Sequence, residues 1–214
     1  QFLRTRWRTF GALFLGNSVV TTVGYSYFWL PTVFQRTWGI EAAQAGIYYG
    51  GVLAIFGPVG VVSGAKLSER LYQRGRHDAP YTIFMVSVIG TLPFAIALPL
   101  AANATLAVVL LIPTIFGLAV ASATSSAAMV HIAPAEFRAQ LSAIYLLVIS
   151  LIGLFVGPPS VAMLTDYVFR DEMMIRYSLL TVTIGIGTLG VVVLLSGIRP
   201  YLKSSQEAEG WHTR

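Results

Sequence analysis

The sequence predicts an all-α integral membrane protein, a bundle of six transmembrane helices. Three observations carry this. Of 214 residues, 56% are hydrophobic and only 11% charged, where a soluble domain carries roughly 25% charged residues. Six apolar stretches recur, each near the roughly 20 residues needed to cross a bilayer. No Asp, Glu, Lys or Arg falls in the core of any of the six, where one charge would cost about 2.5–3.5 kcal/mol on insertion scales.

The spans are placed at residues 8–30, 45–67, 80–101, 105–131, 140–165 and 176–198. Three connectors are clearly polar, 31–44, 68–79 and 166–174, and residues 201–214 read as a solvated tail. An even number of spans puts both termini on one side. Of the 14 Lys and Arg residues, eleven fall on that side (Arg4, Arg6, Arg8, Lys66, Arg70, Arg74, Arg76, Arg138, Arg199, Lys203, Arg214) and three on the other (Arg36, Arg170, Arg176). Basic residues concentrate in cytoplasmic loops, so both termini are expected in the cytoplasm, as in a bacterial inner-membrane protein. The net charge of +5 follows from those loops lying beside anionic lipid, and no nucleic-acid partner is expected. Gln1 is not an initiator methionine, which suggests a piece of something longer. The first apolar run is too long for a signal peptide.

In the first span, Asn17, Thr21 and Tyr25 recur every four residues and so share a face. Ser18, Thr22 and Ser26 form an adjacent stripe. A buried asparagine amide needs partners or a wet cavity, so Asn17, Thr21 and Tyr25 are candidates to line a substrate path. The alternative is interhelical hydrogen bonding that only holds the bundle. The aromatics near the outer ends of the first two spans suit an interfacial belt; among them Tyr48 and Tyr49 are the candidates for a substrate role.

The second span carries Gly57, Pro58 and Gly60; the fifth carries Gly153, Gly157, Pro158 and Pro159. Proline removes a backbone donor and bends a helix, so Pro58, Pro158 and Pro159, with Gly157, are expected helix-bending positions. Small residues beside them allow close helix approach. These spans are the middle members of two successive triplets, a pattern that suits a three-plus-three inverted repeat. The fourth span is rich in small residues and has Ser122 and Ser125 as cavity candidates; their alternative is bonding back to their own helix. Tyr145 is the fifth span's candidate. His131 closes the fourth span at its cytoplasmic end, where a wetted helix-end role outweighs proton shuttling.

The loop after the second span contains Gly64, Lys66, Glu69, Arg70, Arg74, Gly75 and Arg76. It resembles the signature loop of the major facilitator superfamily, an acidic–Arg pair followed by glycine and basic residues; strict spacing puts Ala65 where the family has its first glycine. The segment Pro134, Glu136, Arg138, Gln140, Ser142 and Tyr145, with Gly153, Gly157, Pro158 and the run from Leu164 to Phe169, is similar to bacterial spinster-like members. Their combined likeness covers residues 8–200.

The resemblance implies helices seven to twelve of a twelve-helix transporter, with the N-terminal six-helix half as partner. It implies a cytoplasmic latch built from Glu69, Arg70, Arg74, Arg76, Glu136 and Arg138, for which the plain alternative is a positive-inside loop. It further implies alternating-access transport of a small organic or lysolipid-like substrate, by symport or antiport, with protons as the candidate coupling ion. Any coupling carboxylate would have to come from the missing half, because these spans carry none. The alternative is a free-standing six-helix protein that dimerises or acts as a scaffold. No Walker loop, Gly-x-Ser-x-Gly elbow or His-Glu-x-x-His is present, and with no cysteine there is no cysteine metal site. Neither an enzyme activity nor a cofactor or metal is expected.

Overall fold

The computed structural model describes residues 7–133 and 135–212, and within them the chain is helical almost throughout. The first span is α1 (Trp7–Ser26), a single 3-10 turn (Tyr27–Trp29) and α2 (Leu30–Trp38) in succession. Then follow α3 (Ala42–Gln73), α4 (Ala79–Ala97), α5 (Ala104–Ile132), α6 (Arg138–Met163) and α7 (Ile175–His212). The chain therefore has six helical runs across its described residues. Five of them, α3 to α7 with their short extensions, are long and apolar enough to cross a membrane. The first run falls short in hydropathy, not in length. Asn17, Ser18, Thr21, Thr22, Tyr25 and Ser26 dilute its apolar residues.

That polar helix is nevertheless central. α1 packs chiefly on α6 and α7, and α5 packs chiefly on α3 and α4. The first helix of each triplet thus rests on the second and third helices of the other, while α4 meets α7 and α1 meets α5. Reciprocal pairing of this kind is what a pseudo-two-fold between two three-helix repeats produces. Glycine sets two close backbone crossings. A methyl on Gly157 of α6 would stand 2.5 Å from the Thr22 carbonyl oxygen of α1, and one on Gly60 of α3 would stand 2.6 Å from the Phe116 carbonyl oxygen of α5. Gly153 and Gly64, one turn away on the same faces, continue both contacts.

The helices extend beyond the expected spans at several ends. The connector expected at 31–44 is mostly helix, because Pro31 sits in the first turn of α2, where its missing N–H costs nothing. The break comes at Gly39 instead, in the left-handed conformation with φ 66°. The polar loop expected from residue 68 begins as helix through Gln73. The expected tail also starts as helix: α7 runs unbroken to His212, and Tyr201 and Ser205 are buried. Pro58, Pro158 and Pro159 all lie inside continuous helices. The Trp29 indole N–H donates to the Pro158 carbonyl at 3.0 Å.

Candidate functional site

The eight cavity candidates separate into three groups. Asn17, Ser125 and Tyr145 come together in the bundle interior, from α1, α5 and α6, each 0–1% exposed. They lie in the half of the bundle nearer the basic loop. Ser125 is about two turns from the end of α5 and Tyr145 two turns from the start of α6, roughly 10 Å at the rise of a helix. The Tyr145 hydroxyl faces both Ser125 and Asn17, yet it completes a hydrogen bond with neither, and both polar atoms of the Asn17 amide also lack a protein partner. Phe14 meets the Tyr145 ring edge-on, with centroids 5.0 Å apart. Ser125 donates to the Ser122 carbonyl at 2.9 Å, as a small residue bonding back to its own helix does.

Thr21 and Tyr25 form the second group, half-buried against Gly153 of α6, whose added methyl would stand 2.7 Å from each. Ser122, Tyr48 and Tyr49 do not join either group. Ser122 is exposed, although only one turn from Ser125. Tyr48 accepts a hydrogen bond from Gln44 at 2.6 Å and packs near Phe34. Tyr49 lies against the apolar cluster that surrounds Tyr27. The stripe Ser18, Thr22, Ser26 is largely self-bonded: the Thr22 hydroxyl donates to the Ser18 carbonyl and the Ser26 hydroxyl to the Thr22 carbonyl.

A small cavity of about 30 Å³ lies between α1, α4, α5 and α7, lined by Val20, Val88, Leu118 and Ala121, with Thr91 its sole polar side chain. Its size is that of a water molecule and its walls are apolar, so it offers no polar recognition.

The six latch residues are not drawn to one another. Glu69 accepts from Gln73 one turn on, at 3.3 Å. Among the described residues no ion pair joins Glu69 or Arg70 to Glu136 or Arg138. Arg138 donates to the Ala133 carbonyl at 3.5 Å; Pro134 lies outside the described residues. Arg70, Arg74 and Glu136 are exposed. The charge pair this loop does form is Arg76–Asp78, at 3.4 Å, and Asp78 also accepts from the Thr82 hydroxyl at 2.8 Å. Burial by itself would raise the Asp78 carboxyl, but the hydrogen bonds from Thr82 and Arg76 and the Arg76 charge hold it below its ordinary range. Asp78 carried no signal of its own, because its partner lies two residues away across a turn. At the opposite end, Arg36 of α2 pairs with Glu172 at 2.9 Å, fastening α2 to the loop before α7.

Against this geometry, comparison with known proteins is specific about the fold. A crystal structure described as a bacterial homologue of the human lysosomal transporter spinster, inward-facing and occupied, aligns with a TM-score of 0.69 at 20% identity, covering 93% of this chain and 49% of that one. The same homologue, inward-facing and unoccupied, aligns with a TM-score of 0.67 at 20% identity, covering 92% and 47%. The chain thus spans about half the length of the structures it matches. No curated protein matches it. The Major Facilitator Superfamily profile matches residues 1–158, most of the chain, and with six helices arranged as half of that transporter fold, the chain belongs to the major facilitator superfamily.

Proposed function

We propose that this chain is the C-terminal half of a secondary active transporter, moving a small organic or amphipathic lipid-like substrate by alternating access. The observation that carries the reading is the coverage: nearly all of this chain accounts for only about half of a spinster homologue of the same fold. The burial pattern supports it. α3 and α6 are the least buried of the spans. α6 turns inward one side chain in four, at Leu141, Tyr145, Ile149, Gly153, Gly157 and Val161. Its remaining faces are apolar and open, enough for lipid on one side and a second bundle on another. The basic end, with Arg70, Arg74, Arg76 and Arg138, is the cytoplasmic one on the positive-inside rule.

In this reading two bundles rock about a central site, and bound substrate shifts their equilibrium by its differential affinity for the two arrangements. No Asp or Glu lies in the apolar interior of any span, so in this reading proton coupling belongs to the other half. The exposed latch residues Glu69, Arg70 and Arg74 are free to pair with it. The test is pH-driven uptake of a labelled lysolipid into proteoliposomes. The complete protein is expected to accumulate it, while residues 1–214 alone stay at the level of empty vesicles. Robust uptake by residues 1–214 alone would instead establish a self-sufficient bundle, dimerised through the same open faces.

A further inference from the structure

We propose that Asn17, Ser125 and Tyr145 form a binding site for one neutral hydroxyl oxygen, supplied by water or by an alcohol group of a ligand. The substrate arm of this proposal rests on the transporter reading above.

Three polar atoms converge here without protein partners: Asn17 Oδ1, Asn17 Nδ2 and the Tyr145 hydroxyl oxygen. Because both ends of the amide are unpaired, reversing its assigned orientation changes nothing. Ser125 spends its proton on the Ser122 carbonyl and therefore enters the node only as an acceptor. Buried polar groups in folded proteins are almost always paired, and three unpaired atoms on neighbouring side chains call for a guest.

The chemistry of that guest follows from the donor and acceptor inventory. It must donate to Asn17 Oδ1 and accept from Asn17 Nδ2, with Tyr145 free to take either role. A carboxylate or phosphate oxygen only accepts, and an ammonium only donates, so either ion leaves one amide atom unpaired. The surrounding helices reinforce the exclusion. α1, α5 and α6 contain no Asp or Glu, and their basic residues, Arg8, His131 and Arg138, lie at helix ends, so an ion here has no adjacent counter-charge. A hydroxyl both donates and accepts and fits without remainder.

The test uses the complete protein in nanodiscs with two probes, 1-oleoyl-lysophosphatidylcholine and its analogue with hydrogen in place of the glycerol C2 hydroxyl. It also uses a high-resolution map without added lysolipid. A ligand alcohol in the node predicts binding of the hydroxylated probe about tenfold tighter, the scale of one hydrogen bond, with the preference abolished in Asn17→Leu and Tyr145→Phe. Tyr145→Phe keeps shape and volume, so the test stands even if Asn17→Leu does not fold. Equal binding of the two probes, with density for one oxygen between Asn17 and Tyr145, assigns the site to water. Equal binding with no such density overturns the proposal. If neither probe binds but the oxygen is present, the lysolipid reading falls and the site stands; if neither probe binds and no oxygen is present, both fall.

Discussion

Tyr201 stacks on Tyr81, with ring centroids 4.6 Å apart and planes inclined by 21°. The Tyr81 hydroxyl donates to the Leu194 carbonyl at 2.7 Å, and the Tyr201 hydroxyl to the Ala128 carbonyl at 3.4 Å. One turn further, the Ser205 hydroxyl donates to the His77 carbonyl at 3.2 Å, and its oxygen lies 3.3 Å from His131 Nε2. At the near side of this segment, the Thr9 hydroxyl donates to the Pro200 carbonyl at 3.1 Å. The end of α7 thus clasps α1, α4, α5 and the loop after α3.

Tyr201→Ala is expected to lower stability by roughly 3 kcal/mol, the scale of removing a buried aromatic side chain. Tyr201→Phe keeps the stack and loses only a long hydrogen bond, at a cost of about 1 kcal/mol or less. Thermal unfolding in detergent measures both; an alanine variant as stable as the wild type would disprove the clasp.

Gly157→Ala is expected to destabilise by about 1–3 kcal/mol, the usual range for overpacking. The added methyl meets the Thr22 carbonyl of a neighbouring helix backbone, which cannot rotate away. Gly90→Ala, in α4 with nothing within 4 Å, is the control and should be neutral or slightly stabilising. Equal melting temperatures for the two variants would contradict the close crossing of α1 and α6.

Asp78 makes stability depend on acid pH. Its folded carboxyl lies below the ordinary value of 3.8. Its contribution is therefore complete above that value and is lost as pH falls through the lower, folded one. Asp78→Asn should be less stable than the wild type at pH 6, and the gap should close below about pH 4. Melting curves from pH 6 to pH 3 decide this, and a gap that widens on acidification would show the sign to be wrong.

Glu172→Gln should change stability by less than about 1 kcal/mol. The Arg36–Glu172 pair is short, but the Glu172 side chain is 78% exposed, so water competes for it. A loss well beyond this in unfolding experiments would mean the pair closes the end of the bundle opposite the basic loop rather than decorating it.

Much of the fold was legible because the bilayer imposes its constraint on each span separately. Apolar length, uncharged interiors and the glycines beside Pro58 and Pro158 are local properties, and they located the helices and marked the second and fifth spans for close approach. The misplaced boundaries at residues 68 and 201 share one cause, that polarity was taken for solvent. Residues 201–212 carry Lys203, Glu207 and Glu209, yet Tyr201 and Ser205, four apart, turn one helical face inward. Pro31 looked like a stop, but at a helix start it is tolerated.

The functional candidates show the same division. Asn17, Ser125 and Tyr145 were each readable as polar residues in an apolar span. Their convergence was not, since it depends on how α1, α5 and α6 cross. Likewise Glu69 and Arg70 read as a pair, but as neighbours on one helix they point apart, and the pairing fell to Arg76 and Asp78 across a turn. The amino-acid sequence by itself determined that this chain is a six-helix membrane bundle, because the cost of burying charge and unpaired backbone in lipid is met helix by helix. Only the tertiary structure decided which polar side chains meet inside it, because a hydrogen bond between helices depends on position to within a few tenths of an ångström, and that precision comes from packing.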